Sequence, residues 1–341
     1  MKAVIMAGGE GTRLRPVTGS VPKPMVTLLG RPMLEHIVRL LKLHGFTDIC
    51  AALKYRAEDI ERAFKDGSAL GVHMQYRVER EALGTAGGVK NCADFYGDED
   101  FLVISGDAAC DFDLTRLMRE HRQSGSAVTI ALHRSREPLS YGLAVTDEEG
   151  DVRCFVEKPQ WSRVVTDLVN TGIYIVSPRA MEYVPQGQPF DFARDLFPLL
   201  LARGERLHGE TMEGYWCDVG TPPAYYRCCI DALEGRLKLT PGAAFSRTAA
   251  AETDIAAEAG AESLDCECKS RAALMGALSR AMLDMGADYT DGIRLAGRGY
   301  SLHIAPLASR EAVRVSVRSA DGEFARSLAL DAKAVIDALG L

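Results

Sequence analysis

The feature of this sequence that most constrains its fold is the opening stretch, MKAVIMAGGEGTRLRPVTGSVPKP. Residues 3–7 form an apolar run with the length and character of a buried parallel strand, and the run stops at the glycine-rich residues 8–12. Glycine lets backbone come close to a ligand, so the N–H groups of such a loop can point at an anion. Three cations follow, at Arg13, Arg15 and Lys23. The stretch therefore predicts a polyphosphate site at the end of a strand.

Two common phosphate-binding loops do not fit this stretch. A Walker loop ends in Gly-Lys-Ser/Thr, whereas Gly11 is followed by Thr12 and Arg13. A Rossmann fingerprint has its third glycine where Leu14 stands. The glycines alone are equally compatible with a strand-to-loop turn that carries surface cations, because a lone glycine cluster is a weak signal.

The full string, GGEGTRLRP followed by PKP, resembles the signature of the sugar-phosphate nucleotidyltransferases. These enzymes join a nucleoside triphosphate to a sugar 1-phosphate and release pyrophosphate. The resemblance implies that Arg13 and Lys23 hold the triphosphate and stabilise charge on the leaving pyrophosphate; the alternative is two surface salt bridges. It also implies nucleotide contacts for Gly8, Gly9, Gly11 and Thr12.

Composition limits the classes of protein that this chain can be. At 341 residues it is expected to form about two domains, and 47% hydrophobic residues suit a sizeable core. No apolar run reaches the roughly 18 residues of a membrane span, and the first run is too short for a signal peptide, so we expect a cytoplasmic protein. A net charge of −7 without basic runs argues against nucleic-acid binding and for a small anionic substrate. Nine cysteines without zinc spacing are expected to be reduced, mostly buried thiols, with metal binding as the alternative.

Alternating strand and helix patterns predict an α/β fold with a Rossmann-like, mainly parallel sheet. Strands are predicted over residues 3–7, 49–53, 72–78, 101–105, 128–133, 142–146, 152–156, 172–176 and 215–219. Helices are predicted over residues 33–41, 57–65, 113–125, 191–201 and 222–233, with another after residue 87. Ligands of such sheets lie beyond the carboxyl ends of the strands, where both the residue 8–13 loop and Asp107 fall.

Two aspartates are candidates for holding Mg²⁺. Asp107 closes the apolar strand 101–105, and a carboxylate at the end of a strand suits a hard cation that shares phosphate oxygens. The resemblance implies that Asp107 and Asp218, in GYWCDVGTP, are the two metal-binding aspartates. Without it, Asp218 would be a turn residue. Asp111 and Asp113 are expected to cap the helix that follows.

Substrate contacts are implied for two further groups of residues. The string around Gly84, Thr85 and Gly88 resembles the loop that closes over the nucleobase, and it is also compatible with a glycine-containing helix N-terminus. The implied sugar-phosphate contacts are Gly142, Glu157, Lys158, Asn170 and Thr171. Carboxylates and amides suit hydroxyl groups because both bind in pairs, whereas Glu157 and Lys158 alone would be an exposed ion pair.

The resemblance covers residues 1 to about 238 and is strongest to the mannose-1-phosphate guanylyltransferase part of bacterial proteins that are fused to a phosphomannomutase-like region. We expect a catalytic domain over residues 1–240, a linker over 241–263 and a small α/β domain over 264–341. The last part resembles the C-terminal domain of a phosphohexomutase. The mutase phosphate loop is degenerate, because the corresponding stretch reads APLASREA, residues 305–312, so this domain is expected to be structural, oligomerising or allosteric and not catalytic.

The resemblance thus implies an Mg²⁺-dependent enzyme, with GTP and α-mannose 1-phosphate as the expected substrates. UTP, dTTP or ATP with a glucose or heptose 1-phosphate is the alternative within the same class. An alternative of another class is a non-catalytic regulatory protein that binds nucleotide sugars; the presence of Arg13, Lys23, Asp107, Lys158 and Asp218 argues against it. A homo-oligomer without nucleic-acid or membrane partners is expected.

Overall fold

The computed structural model describes residues 1–14, 21–135, 137–158, 160, 164–233, 235–239, 260–268, 274, 293–297, 300–307, 311–319 and 321–339. Its N-terminal unit (residues 1–239) contains the strands β1 (Lys2–Ala7), β2 (Thr27–Leu28), β3 (Arg31–Pro32), β4 (Asp48–Leu53), β5 (His73–Val78), β6 (Phe101–Ser105), β7 (Ala108–Cys110), β8 (Val128–Arg134), β9 (Gly142–Thr146), β10 (Val152–Glu157), β11 (Leu168–Val176), β12 (Leu207–Thr211) and β13 (Trp216–Asp218). Its helices are α1 (Met33–Leu43), α2 (Ala57–Phe64), α3 (Gly84–Lys90), α4 (Ala93–Tyr96), α5 (Leu114–Ser124), α6 (Pro178–Met181), α7 (Phe197–Ala202) and α8 (Pro222–Leu233).

Nine of these strands form one mixed sheet with a parallel half. Strands β5, β4, β1 and β6 lie side by side and run parallel. The long strand β11 pairs antiparallel with β6, β8 and β9, and β8 and β9 lie on opposite edges of it at Val169. Strand β12 runs parallel to β8, and β10 forms an antiparallel pair with β9. The predicted α/β fold with a mainly parallel sheet is confirmed.

Both faces of the sheet are buried, because successive side chains of a strand point to opposite faces. On β1, Ile5 packs on one face with Leu34 and Ile37 of α1. Val4 packs on the other face with Val89 of α3. All of these side chains are at most 2% exposed. The carboxyl ends of the parallel strands are therefore held in fixed positions by packing on both sides.

A C-terminal unit (residues 260–339) packs as a separate small layer. Strands β14 (Gly260–Glu267), β15 (Ile293–Gly297), β16 (Tyr300–Pro306) and β17 (Ala312–Ser319) form an antiparallel sheet in the order β14-β17-β16-β15. The helix α9 (Gly322–Leu339) covers it through small and branched side chains. Ile230 of α8 also packs against this core, so the two units are in contact.

The structure departs from the predicted elements at several boundaries. Strand β11 starts at Leu168, four residues before the expected strand, and so includes the polar residues Asn170 and Thr171. Its register with β8 shifts after Asn170, at a bulge where Gly172 has a φ of +76°. Strand β12 was not predicted, and α3 begins at Gly84 instead of after Gly87. Residues 260–263 of the expected linker belong to β14. Arg15, Arg310 and the rest of the linker lie outside the described residues. The apolar spacing of residues 272–285 predicts a helix there, and all of these residues except Leu274 also lie outside the described residues.

All nine cysteines lie within the described residues and are free thiols, most of them buried, as predicted. Among the described helices, none is both long and apolar enough to cross a membrane.

Candidate active site

The glycine-rich loop follows β1 directly, and its path is set by Lys23. Gly11 has a φ of +61°, and a Cβ at this position would stand 2.8 Å from the Cβ of Lys23. A larger residue would therefore push the lysine away. The single helical turn Thr12–Leu14 follows, with Leu14 fully buried and Arg13 exposed. The loop thus holds Arg13 and Lys23 on the same side of the sheet edge.

The two candidate metal aspartates are brought together by a short antiparallel ribbon. Asp107 follows β6, and the next strand, β7, pairs with β13 so that Asp218 lies opposite Ala108. The Val219 N–H donates to the Asp107 carbonyl oxygen at 3.2 Å, which fixes the two chain segments side by side. Residues 111 apart in the sequence become neighbours in this way.

The two aspartates near the ribbon differ in role. Asp113 caps α5, since its carboxylate accepts the Arg116 N–H at 2.9 Å, as predicted. The same prediction is wrong for Asp111. Its carboxylate accepts the N–H groups of Tyr215 at 2.7 Å and Lys238 at 2.8 Å, and therefore ties down the segments before β13 and after α8.

Lys23 lies between the candidate metal aspartates. Its Nζ forms a very short ion pair with Asp107 and lies 3.5 Å from the Asp218 Oδ1. Burial by itself lowers the pKa of Lys23, but the two carboxylates outweigh it and the pKa is raised overall. Burial, and next the neighbouring Asp107, raise the pKa of Asp218, while Lys23 and Arg13 oppose the rise. The two carboxylates therefore stabilise the charge of Lys23, whereas burial and Asp107 destabilise the charge of Asp218, an effect that Lys23 and Arg13 oppose only in part.

The donor set fits Mg²⁺. Asp107 and Asp218 already converge on one cation, the Lys23 ammonium, so their oxygens can be shared by a single ion. Among the described residues, no group of three or more His, Cys, Asp and Glu side chains could hold a metal. Two carboxylates, with the remaining ligands from phosphate and water, match the way Mg²⁺ is usually bound with nucleotides.

The segment predicted to contact the nucleobase is held by the chain around Phe190. Gly84 has a φ of +70°, and a Cβ there would lie 2.7 Å from the Phe190 carbonyl oxygen. The Thr85 hydroxyl donates to Asp191 at 2.8 Å and accepts the Phe192 N–H at 2.9 Å. Gly88 lies against the Glu79 carboxylate, whose pKa is raised by burial. This anchoring gives the turn before α3 a fixed position beside the sheet.

The predicted sugar-side charges lie on a hairpin edge. Glu157 is the last residue of β10 and pairs with Gly142, where a Cβ would stand 2.6 Å from the glutamate oxygen. Lys158 has an unusual φ of +44°, which turns its side chain away from the strand direction. Burial raises the pKa of Glu157, with Lys158 opposing the rise. In the described parts of the chain neither charged group has a hydrogen-bond or ion-pair partner.

The other two predicted sugar contacts are already hydrogen-bonded within the protein. The Asn170 amide donates to the Tyr174 hydroxyl and accepts the Gly172 N–H, both at 3.0 Å. The Thr171 hydroxyl is buried and donates to the Ala131 carbonyl oxygen at 2.7 Å. The Thr171 carbonyl in turn accepts the indole N–H of Trp216 at 3.1 Å. Thr171 therefore builds the wall of the site through its backbone rather than through its hydroxyl group.

One cleft of about 510 Å³ collects most of the predicted residues. Those that line it are Arg13, Thr85, Asp107, Gly142, Glu157, Lys158, Asn170, Thr171 and Asp218. Lys23 contacts this set through Asp107. The predicted nucleotide-binding residues that do not line the cleft are Gly8, Gly9, Gly11, Thr12, Gly84 and Gly88. They shape the loops that carry the lining side chains.

The sequence prediction missed several residues of the cleft. Trp216 lines it and stacks edge-on against Tyr141, with ring centroids 5.1 Å apart. Asp191 lies beside Thr85, and Arg227 projects from α8. Trp216 could have been found, because it is one of two tryptophans and lies two residues before Asp218. Arg227 carries no motif, and only the direction of α8 brings it to the cleft.

Comparisons with known proteins agree with this geometry. A family model described as Nucleotidyl transferase matches residues 2–234. A UTP–glucose-1-phosphate uridylyltransferase from Synechocystis sp. is 39% identical over 251 residues, which are 70% of this chain and 65% of that protein. A mannose-1-phosphate guanylyltransferase from Mycobacterium tuberculosis is 37% identical over 234 residues, which are 68% of this chain and 65% of that protein. The chain thus spans slightly less than two thirds of the length of these relatives.

Among solved structures, HddC from Yersinia pseudotuberculosis complexed with GMP-PN superposes with a TM-score of 0.58 at 30% sequence identity. The superposition covers 67% of this chain and 97% of the HddC chain. The match therefore covers nearly the whole of the HddC chain and about two thirds of this one.

Proposed function

Because this chain belongs to the nucleotidyl transferase family, we propose that it joins a nucleoside triphosphate to a sugar 1-phosphate and releases pyrophosphate. The observation that carries the proposal is the charge arrangement of one cleft. Arg13, Asp107 and Asp218 line it, with Lys23 paired to the two carboxylates, and form one charged group; Glu157 and Lys158 line it as a second charged group. This arrangement suits a reaction between two phosphorylated substrates that meet in one cleft.

In the proposed reaction a phosphate oxygen of the sugar 1-phosphate attacks the α-phosphorus of the nucleotide, and the bond to the bridging oxygen of the β-phosphate breaks on the opposite side. Such a transfer needs positioning and neutralisation of negative charge more than covalent help. Arg13 and Lys23 stabilise the charge on the departing pyrophosphate. Lys158 binds the sugar phosphate, and Glu157 accepts hydrogen bonds from sugar hydroxyls.

We further propose that Asp107 and Asp218 hold Mg²⁺. The ion would supply charge neutralisation at the phosphate oxygens when it is bound there. Lys23 pairs with the same two carboxylates in this structure, so its ammonium is within reach of any phosphate that they help to bind. The lysine and the two carboxylates are thus proposed to act on the same phosphate groups.

The substrate pair that we propose is GTP and α-mannose 1-phosphate, giving GDP-mannose. It is supported by the similarity to the mycobacterial mannose-1-phosphate guanylyltransferase and to HddC, whose structure contains a guanine nucleotide. The second candidate is UTP with glucose 1-phosphate. It is favoured by the 39% identity to the Synechocystis uridylyltransferase. Specificity is a difference between two affinities, and a few contacts to base and sugar suffice to reverse it.

A turnover matrix tests the proposal. Pyrophosphate release is measured for GTP, UTP, dTTP and ATP, each with mannose, glucose and heptose 1-phosphates in the presence of Mg²⁺. We expect the largest kcat/KM for GTP with mannose 1-phosphate, and loss of release on chelation with recovery when Mg²⁺ is added back. A maximum for UTP with glucose 1-phosphate would favour the second candidate. If no substrate pair releases pyrophosphate but a nucleotide sugar still binds, the protein is a non-catalytic regulatory protein and not an enzyme.

A further inference from the structure

The start of α3, residues 83–87, is attached to a distant segment of the chain by backbone hydrogen bonds. The Phe190 N–H donates to the Leu83 carbonyl oxygen at 2.8 Å. The Phe190 carbonyl oxygen accepts the Ala86 N–H at 2.9 Å and the Gly87 N–H at 3.0 Å. The tertiary fold alone brings these two segments together, because they lie far apart in the sequence.

A pair of side chains completes this attachment at the wall of the cleft. Thr85 and Asp191 both line the cleft. The Thr85 hydroxyl donates to the Asp191 Oδ2 at 2.8 Å and accepts the Phe192 N–H at 2.9 Å. The hydroxyl therefore already uses its proton and one of its lone pairs within the protein. Its direction is fixed, and so is the start of α3 that carries it.

The two carboxylate oxygens of Asp191 have different partners. The Oδ1 accepts the Ala193 N–H at 2.9 Å and the Arg194 N–H at 3.0 Å, and so caps the π-helical turn Phe192–Leu196. The Oδ2 accepts the Thr85 hydroxyl. A cap needs only one oxygen, and serine or asparagine supplies it about as well as aspartate. Capping alone therefore does not account for the second oxygen beside Thr85.

The segment that carries Asp191 is held in place by an aromatic cluster. The Phe192 side chain is 1% exposed, and its ring centroid lies 5.0 Å from that of Tyr174 and 5.8 Å from that of Phe197. Phe197 also lies edge-on to Phe155 of β10, with 5.3 Å between the centroids. Close packing of this kind leaves few alternative arrangements of the side chains. Asp191 is therefore a fixed point for the Thr85 hydroxyl.

We propose that Asp191 is a positioning residue for the nucleotide: through the Thr85 hydroxyl it fixes the start of α3 in the conformation that receives the nucleotide. Without this bond residues 83–87 would have to be ordered when the nucleotide arrives, and the cost would lower the affinity for the nucleotide. In the saturated enzyme these residues are ordered with or without the bond, so kcat should change little.

The inference rests on the proposed function for its kinetic consequence, because only a nucleotidyltransferase has a KM for a nucleotide that can be measured by pyrophosphate release. It does not rest on that function for its structural consequence, which is the order of residues 83–87. The two consequences are therefore measured separately.

The test compares full-length variants that remove or keep the hydrogen bond. Asp191→Ser keeps a capping oxygen but has no second oxygen for Thr85. Thr85→Val removes the hydroxyl, and Thr85→Ser keeps it. Asp113→Ser is the matched control, because Asp113 is the exposed N-cap of α5 and does not line the cleft. Two readouts are taken: pyrophosphate release, separated into kcat and the KM for each substrate, and amide hydrogen exchange of the peptide that covers residues 83–87.

We expect the KM for the nucleotide to rise about tenfold in Asp191→Ser and Thr85→Val, the effect of about one lost hydrogen bond. The kcat and the KM for the sugar phosphate should stay within about twofold of the wild type, and exchange of residues 83–87 should accelerate. Thr85→Ser should recover most of what Thr85→Val loses. Asp113→Ser should change neither readout. A role in capping alone would lower the melting temperature of both serine variants and leave the KM for the nucleotide unchanged.

The double variant Asp191→Ser/Thr85→Val separates positioning from a direct contact of Thr85 with the nucleotide. Two groups that act through one hydrogen bond are not additive, so the double variant should lose no more affinity than either single variant, about tenfold in all. Independent contacts would multiply the losses to about a hundredfold and would overturn the inference. A tenfold loss in Thr85→Val with none in Asp191→Ser would overturn it as well.

Unchanged nucleotide KM and unchanged exchange in Asp191→Ser would also reject the positioning role, as would equal changes in Asp113→Ser. If Asp191→Ser does not fold, Thr85→Val and Thr85→Ser decide by the same two readouts. If the wild type releases no pyrophosphate with any substrate pair, the proposed function fails while hydrogen exchange still decides the positioning role. Unaltered exchange of residues 83–87 in Thr85→Val would then reject it.

Discussion

The two ends of the cleft treat their charges in opposite ways. At the end that carries Lys23, the cation and the carboxylates of Asp107 and Asp218 satisfy one another. At the end that carries Glu157 and Lys158, both charges lack a partner among the described residues, and burial raises the pKa of the glutamate. The first end is a closed set of charges, and the second is open.

This difference indicates where each end obtains its binding energy. Groups that already pair must exchange partners when a ligand arrives, so the gain comes from a stronger electrostatic match with the charged phosphates. Groups without partners pay their desolvation cost in the empty protein and recover it when a ligand supplies hydrogen bonds. We therefore expect changes at the first end to act mainly on kcat and changes at the second to act mainly on KM.

The largest effect is expected at the closed end. Asp107→Asn should lower the rate of pyrophosphate release on the order of a hundredfold or more, because charge stabilisation dominates this kind of transfer. Lys23→Ala should do the same. The turnover rates of both variants are measured in endpoint assays of pyrophosphate release with saturating substrates.

A matched control is Asp113→Asn, which changes a neighbouring aspartate that caps α5. Asn caps a helix about as well as Asp, so both the helix stability and the turnover should stay near those of the wild type. Near-normal turnover in Asp107→Asn would contradict the assignment of this residue to the site.

The next largest effect is expected at the open end. Glu157→Gln should raise the KM for the sugar phosphate about tenfold, since a carboxylate that accepts hydrogen bonds from hydroxyls is replaced by a neutral amide. The kcat should change less than it does in Asp107→Asn. Glu149→Gln serves as the control, because Glu149 is an exposed residue of a turn. A fall in kcat without a change in KM would break the proposed division between the two ends.

The sequence predicted the closed end better than the open end. Arg13, Lys23, Asp107 and Asp218 each lie in a local string that resembles the family signature, and strand ends meet at one edge of a parallel sheet by topology alone. The β7–β13 ribbon that makes Asp107 and Asp218 neighbours was only half foreseen, because β7 is a three-residue strand without a pattern. The fold class followed from the alternation of strand and helix patterns. Strand β12 was missed because it lies within a polar stretch, and its pairing with β8 is therefore not visible in the sequence.

At the open end, residue type was a poorer guide to direction. Asn170 and Thr171 are suitable for contacting a sugar, but a bulge at Gly172 and the pairing of β11 with β8 set where they point. The Thr171 hydroxyl points to the Ala131 carbonyl oxygen. Hydrogen bonds of this kind depend on tertiary register, which one sequence does not reveal.

A smaller effect separates wall from contact at the open end. Thr171→Val keeps the shape of the side chain but leaves the buried Ala131 carbonyl oxygen without this donor. We expect the melting temperature to fall by about 2–4 °C, with the KM for the sugar phosphate within about twofold of the wild type. Differential scanning fluorimetry and initial rates measure the two quantities. A tenfold rise in the KM for the sugar phosphate without loss of stability would mean that the Thr171 hydroxyl contacts the sugar directly.

The smallest effect concerns Asp331, a carboxylate of helix α9 in the C-terminal unit. The pKa of Asp331 is raised to about 6 in the fold, so the stability associated with its protonated form is fully present below the unfolded value of 3.8 and is lost as the pH rises through 6. Asp331→Asn stays neutral and should therefore melt about 2 °C above the wild type at pH 8, with the difference vanishing near pH 4. Asp337→Asn, on an exposed position of the same helix, should show no such pH-dependent gain. Equal melting temperatures of Asp331→Asn and the wild type across this range would mean that Asp331 stays hydrated in the folded protein.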